Sequence, residues 1–313
     1  MIGPDAMSET LRGGVIGAGV FGGYHARQYA RLPGVTFVGV YDPHPERAAG
    51  VAMPLGGRAF ADLEALLAEV DVVTVASPAS HHAEQALAAI AAGKHVYVEK
   101  PVAISVPDGE KVRAAADKAG LVVACGHQER VVFQAMGLLD VTEQPLLLEA
   151  LRHGPPSDRS RDVTAVLDLM IHDIDLVLAI AAADPVTAEA EGERAADGVW
   201  DAVRAEVSFD SGFTARFDVS RMAEARRRTM RVVYPSGEVE IDFVARTFRN
   251  TTPFALNPDF ADTPAAADPL GASVEGFLQA VRGLAPRPVV SAGEAIAALD
   301  LAVAVEKALD EAN

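Results

Sequence analysis

The sequence predicts an α/β protein in two parts. The first is a doubly wound parallel sheet, and the second is an α+β unit with an open, mostly antiparallel sheet. Three observations predict this. Over the first 125 residues, short β-branched runs that are apolar on both faces alternate with Ala-rich helical patterns, the signature of a parallel sheet covered on both sides. A glycine-rich turn joins the first strand to the first helix. After residue 125 the strand patterns lengthen and alternate apolar with polar, as a sheet with one covered face requires.

Taken in order, "GGVIG" (13–17) reads as a strand and Tyr24–Leu32 as helical. Strands follow at 35–41, 70–76, 95–99 and 121–125, with helices at 82–92 and about 106–119. In the second part "LLLEALR" (146–152) is a strand. Further alternating runs lie at 186–194, 199–209, 212–220, 227–234 and 237–243, with a Ser-Gly hairpin turn inside "SFDSGFTARF". Prolines mark 250–270 as a surface loop, and helices are expected at about 271–283 and 292–312. The expected division is a flexible tail over 1–10, a dinucleotide-binding domain over 11–125, and a substrate-binding and oligomerisation domain over 126–313.

The 313 residues, half of them hydrophobic, suffice for two domains. The formal net charge of −17 argues against nucleic acid, which needs a basic footprint. One cysteine, Cys125, excludes an intramolecular disulfide framework and a cysteine metal cluster. The sequence shows neither a signal-peptide pattern nor an apolar run long enough for a transmembrane helix. These features suit a cytoplasmic protein with no membrane contact.

"GVIGAGVFGGYHA" places Gly17, Gly19 and Gly22 in G-x-G-x-x-G spacing between a strand and a helix. Such glycines permit a tight turn and close approach of a pyrophosphate to the helix N-terminus. Asp42 follows 20 positions after the last glycine, at the end of "FVGVYD". A carboxylate there accepts from the adenosine ribose hydroxyls and repels a 2′-phosphate, which favours NAD over NADP. The plainer alternative is a glycine turn in an unrelated α/β fold.

"HVYVEKPVA" sets Glu99, Lys100 and Pro101 at the C-terminal edge of a parallel strand, where open α/β sheets bind ligands. Glu99 could hold the lysine, and Pro101 stiffens the turn and can take a cis peptide. A surface salt bridge at a strand end is the competing reading.

"VLDLMIHDIDLVL" (166–178) is apolar apart from Asp168, His172, Asp173 and Asp175. On an α-helix at about 100° per residue, His172 and Asp175 lie at about 40° and −20° from Asp168. These three therefore share one stripe, and Asp173 falls off it without an assigned role. Such a seam is costly to bury unless its members pair or face a wet cavity. Asp168 and His172, one turn apart, fit an orienting carboxylate and a base. A packing network and a metal site are the alternatives; no second histidine shares the stripe.

In order, "VIGAGVFG", "ASPASHHAEQALAAIAAGKHVYVEKPVA" and "DLMIHDID" resemble the Gfo/Idh/MocA oxidoreductase family over essentially the whole chain. The resemblance implies a Rossmann domain, a C-terminal α/β domain and a sugar or cyclitol substrate. It also implies a homodimer or homotetramer built on the open sheet. It implies cofactor contacts from Gly17, Gly19, Val20, Phe21 and Gly22, and from Asp42. Ser77, Pro78, His82, Glu99 and Lys100 would complete the set. Lys100 would also contact the reacting hydroxyl. The implied reaction is hydride transfer from a carbinol carbon to the nicotinamide, with His172 taking the hydroxyl proton, oriented by Asp168 and assisted by Lys100.

Ahead of the helix, "LRHGPPSDRSRDV" gathers Arg152, His153, Arg159 and Arg161 in an acidic chain. Arginine forks suit phosphate oxygens, although a solvated loop has the same composition. Arg152, Arg159 and Arg161 with Asp175 form the expected substrate-binding set. A second basic run, "RRRTMR" (226–231), alternates Arg226 and Arg228 against Arg227 and Arg231 and suggests surface or interface. The stretch leading into "DVTAVLDLMIHDID" is most similar to the family's bacterial UDP-N-acetylglucosamine 3-dehydrogenase branch. That likeness implies a nucleotide-sugar substrate and a sugar aminotransferase as functional partner, on the route to the 3-amino sugar of lipid A. One departure is that the asparagine usual after the fifth strand is replaced by Val131 and Val132, so that Gln128 or Glu129 would have to substitute. A dehydrogenase of an uncharged polyol or aldose, and a non-catalytic NAD-binding regulator, remain alternatives.

Overall fold

The structure, a computed structural model, describes residues 10–157 and 162–312. Its contacts divide the chain into two compact units: residues up to Gln128 together with Asp268–Ile296, and Glu129–Ala267 together with the C-terminal segment from Ala297. The chain leaves the first unit after Gln128. The return of 268–296 to that unit is absent from the sequence reading, because a helix pattern alone does not say which sheet it covers.

The first unit runs β1 (Leu11–Ile16), α1 (Val20–Arg31), β2 (Val35–Tyr41), α2 (Pro45–Ala52), β3 (Arg58–Phe60), α3 (Leu63–Glu69), β4 (Val72–Val75), α4 (His82–Ala91), β5 (His95–Val98), α5 (Val106–Ala119) and β6 (Val123–Cys125). All pairings are parallel, in the order β3-β2-β1-β4-β5-β6. The order reverses between β1 and β4, which is where open α/β sheets take ligands. All four residues of β4 are buried, as a strand covered on both faces demands. The first helix starts four residues earlier than its pattern suggests. Gly22 and Gly23 lie inside it, and a Cβ at Gly22 would sit 1.9 Å from Gly17 O. Poor helix formers disguise a start that close packing requires.

The second unit contains α6 (Glu129–Met136), β7 (Leu147–His153), a π-helical turn over Val166–Met170 and α7 (Ile171–Ala181). Then come β8 (Pro185–Arg194), β9 (Trp200–Phe209), β10 (Thr214–Ser220), β11 (Arg227–Tyr234), β12 (Gly237–Asp242), β13 (Thr247–Asn250) and α8 (Pro264–Ala267). Helix α9 (Pro269–Val281) belongs to the first unit, and α10 (Ala292–Glu311) passes from the first unit into the second. The seven-stranded sheet has the order β13-β12-β11-β7-β10-β9-β8. Only β7 and β10 pair in parallel.

Alternation along β7 buries Leu148, Ala150 and Arg152 and turns Glu149 to the other face. That second face is laced by cross-strand ion pairs such as Arg216–Glu206, Arg231–Glu149 and Arg249–Glu240, and bounds a concavity of about 1000 Å³. No helix among the described residues is long and apolar enough to cross a membrane.

Candidate active site

In the first unit the glycine turn is shaped by sterics. Gly17 has φ +98°, and a Cβ there would lie 2.7 Å from Ser77 N. A Cβ at Gly19, the N-cap of α1, would meet nothing within 4 Å. No side chain caps α1, so its first N–H groups face an open cradle fit for an anion. Val20 and Phe21 form the first turn of that helix. Asp42 closes the turn: Ala18 N donates to its Oδ2 at 2.8 Å and His44 N to its Oδ1 at 2.9 Å. Each oxygen retains a further lone pair for a ribose hydroxyl. The glycines, the bare helix end and the carboxylate together fit NAD.

The opposite side of the crevice is tied by His82, which is buried. Its Nδ1 lies 2.7 Å from Pro101 O and its Nε2 2.9 Å from Ser77 O. Burial pushes its pKa down, against the pull of those two carbonyls. The ring thereby couples the Ser77–Pro78 turn to the Lys100–Pro101 turn, whose peptide is cis as the sequence allowed. Glu99 is buried, with His25 Nε2 2.6 Å from Oε1 and Gln128 Nε2 donating to the same oxygen at 3.1 Å. Its burial would raise its pKa, but His25 and the Lys100 charge hold it below the usual carboxylate range. His25, on α1, escaped the sequence reading. A histidine inside a glycine-rich helix start gives no periodic signal of its own.

The second unit gathers its titratable groups around His172, half a turn into α7. Here the structure departs from the helical wheel. Residues 166–170 wind as a π-helix, so the assumed 100° step fails across Asp168. The carboxylate against His172 Nδ1 is Glu129, at 2.8 Å from Oε2. The Asp168 carboxylate instead lies 3.7 Å from Arg221 Nη1. Arg221 is itself held by Asp201 and by Val163 O.

Two members of the expected substrate set are buried in ion pairs within the protein. Arg152 is 1% exposed and fully engaged. Its Nε and Nη2 fork onto Asp173 at 2.9 and 2.7 Å, and its Nη1 donates to Glu129 Oε1 at 2.9 Å. Asp175, also 1% exposed, is forked by Arg130 through Nε at 3.1 Å and Nη2 at 2.6 Å. Neither is placed to meet a substrate; burial of a charge demands pairing, and each is paired. Asp173, without a role in the sequence reading, is the anchor of Arg152. The other two predicted arginines, Arg159 and Arg161, lie outside the described residues.

Arg228, expected at a surface or interface, is half-buried and shares its face of β11 with the buried Met230 and Val232. Its Nη1 lies 3.9 Å from Glu129 Oε1, and its Nε has no hydrogen-bond partner among the described residues. Burial, then the neighbouring Arg152 charge, pushes its pKa down to about 10. For Glu129, burial acts upward, but the His172 and Arg152 charges outweigh it and hold the carboxyl well below its ordinary value. His172 itself is 15% exposed at its side chain, enough to exchange a proton with a bound molecule. No group of three metal-ligating side chains occurs among the described residues.

Comparison with known proteins accounts for both units. Residues 11–127 match the oxidoreductase family with an NAD-binding Rossmann fold, and residues 150–240 match the GFO/IDH/MocA C-terminal domain. The chain is 37% identical over 309 residues to UDP-N-acetylglucosamine 3-dehydrogenase of Acidithiobacillus ferrooxidans, covering 95% of this chain and 97% of that one. The solved structure of that organism's enzyme, GnnA, superposes with a TM-score of 0.89 at 34% identity, covering 97% of this chain and 99% of the other. Inositol 2-dehydrogenase 3 of Saccharopolyspora erythraea is 33% identical over 176 residues, 53% of this chain and 52% of that one. With matches to both domains and a full-length relative, the chain belongs to the Gfo/Idh/MocA family of NAD-binding oxidoreductases.

Proposed function

We propose that this dehydrogenase oxidises the 3-hydroxyl of UDP-N-acetylglucosamine to a ketone. The observation that carries the reading is likeness at 37% identity across 95% of the chain to an enzyme of that name. NAD, when bound on the glycine turn, supplies the hydride acceptor. His172 takes the hydroxyl proton as the carbinol C–H leaves as hydride, a contribution of about 10²–10⁴ in rate. Lys100 assists at the same hydroxyl, as the family resemblance implies. Arg228, with its orphan Nε, supplies the anion contact that Arg152 cannot.

The product is a 3-keto nucleotide sugar, so an aminotransferase that consumes it is the expected functional partner. Self-association uses the second sheet face, whose intermixed arginines and glutamates offer complementary charge to a second copy.

NADH formation at 340 nm with UDP-N-acetylglucosamine, an aminotransferase and an amino donor tests the reading. The signal should vanish in His172→Ala, and KM for the nucleotide sugar should rise in Arg228→Gln. Reduction with inositols or free sugars but not with UDP-sugars would transfer the assignment to an uncharged polyol, the reading that the inositol dehydrogenase relatives favour.

A further inference from the structure

We infer that Glu129 is the positioning residue of the reaction: it fixes His172 as the Nδ1–H tautomer, so that Nε2 is the nitrogen that receives the substrate proton. This rests on the proposed role of His172 as base. The argument begins with the chain Asp173–Arg152–Glu129–His172. Asp173 holds Arg152 by a two-bonded fork, which leaves Nη1 directed at Glu129 Oε1 at 2.9 Å. One oxygen of Glu129 is thereby committed to Arg152, and the other faces His172 Nδ1 at 2.8 Å. A carboxylate at that distance only accepts, and it therefore favours the tautomer with the proton on Nδ1.

Among the described residues, the charges around His172 come from several elements packed against it. Glu129 comes from α6, Arg152 from β7, and Arg228, with Arg226 beside it, from β11 and its approach. Asp168 and Asp173 share its own helical segment, and each has an arginine, Arg221 and Arg152 respectively. Glu129 is the carboxylate in contact with the ring. When Nε2 accepts the hydroxyl proton, the imidazolium gains its countercharge from Glu129, while Arg152 and Arg228 keep that carboxylate ionised. The O–H bond breaks and its proton passes to Nε2, while the C–H electron pair would leave as hydride to bound NAD, so that a neutral ketone forms and His172 is the protein group that gains charge.

The test pairs Glu129→Gln with His172→Gln. In Glu129→Gln, kcat should fall about 10- to 100-fold, a fraction of a general base's full contribution. KM for the sugar should change little. The acid limb of the kcat/KM profile should move to lower pH, because the imidazolium has lost an anion. Glu129→Asp should recover part of the rate. The ¹⁵N spectrum of the wild-type holoenzyme supplies a readout independent of any variant's folding. It should show His172 protonated at Nδ1 above its titration, and protonation at Nε2 would overturn the inference. If His172→Gln is inactive while Glu129→Gln keeps the wild-type pH profile, Glu129 has no positioning role and the base assignment stands. If His172→Gln turns over normally, the base assignment itself fails.

Discussion

Replacing Arg152 with methionine isolates the energetics of the buried cluster. Methionine approximates the length of the arginine stem but removes three hydrogen bonds: two to Asp173 and one to Glu129. Asp173 is 3% exposed, and Glu129, half-buried, also holds the His172 contact. Neither carboxylate can recover its hydration, so the variant strands charge in a poorly solvated site. Removing one partner of a buried ion pair costs about 3–5 kcal/mol. With a urea slope of about 2 kcal/mol per molar, the midpoint should fall by about 1.5–2.5 M.

The assay follows from composition. The chain has a single tryptophan, Trp200, on β9 in the second unit, and it is 5% exposed. Arg194 lies 3.8 Å above its ring, so its fluorescence reports on the unit that holds the mutation. Adding Asp173→Asn to the variant should restore part of the loss, since a neutral amide removes one stranded charge. An exposed control in the same unit, Lys307→Ala, should leave the midpoint where it is, because exposed pairs contribute little. A midpoint shift for Arg152→Met no larger than that control would refute the account of the cluster.

Two further outcomes follow. Asp42→Ala removes the acceptor beside the glycine turn and the charge that repels a 2′-phosphate, so the NAD:NADP ratio of kcat/KM should fall about tenfold or more; an unchanged ratio would remove Asp42 from cofactor discrimination. Glu99 and Glu129 both titrate below their ordinary range in the folded state, so each adds stability that is present above the unfolded carboxylate value and lost as pH falls through the folded one. His82, pushed down by burial, acts in the same direction, since the unfolded chain gains a proton first. Melting temperature should therefore decline in two stages, first below about pH 6.5 through His82 and then below about pH 4.5 through the two glutamates, and His82→Gln should flatten the first stage.

The first unit was legible because its rules are local. Apolar runs, a glycine turn and an acid 20 positions on are all written in consecutive residues, and close packing leaves few other outcomes. The second sheet was legible for a similar reason, since period-2 alternation survives insertions. What the sequence concealed was pairing across elements. Glu129, the carboxylate against His172, comes from α6, and a helical wheel of residues 166–178 has no access to a partner on another element. Arg152 and Arg228 were read as ligand-facing or surface residues from their charge. Their parity said otherwise: Arg152 shares a face with Leu148 and Ala150, and Arg228 with Met230 and Val232. Parity, applied to charged residues as strictly as to apolar ones, would have placed both inside.

That placement explains why an otherwise apolar segment carries three carboxylates. Asp168, Asp173 and Asp175 are each met by an arginine from a different place in the unit: Arg221 just after β10, Arg152 on β7 and Arg130 on α6. Apolar contacts alone would allow the helix to rotate or slide by a fraction of a turn, since leucine and valine tolerate many neighbours. Two arginine forks and a third ion pair, arriving from separate elements, leave one angular setting in which the buried charges are paired. Buried pairs add little net stability, but they penalise every other register heavily. His172 is carried on the segment so fixed, and a base must be held to within about half an ångström of its productive position. On this argument the aspartates serve the chemistry by fixing the helix, while Glu129, from outside it, lies against the imidazole itself.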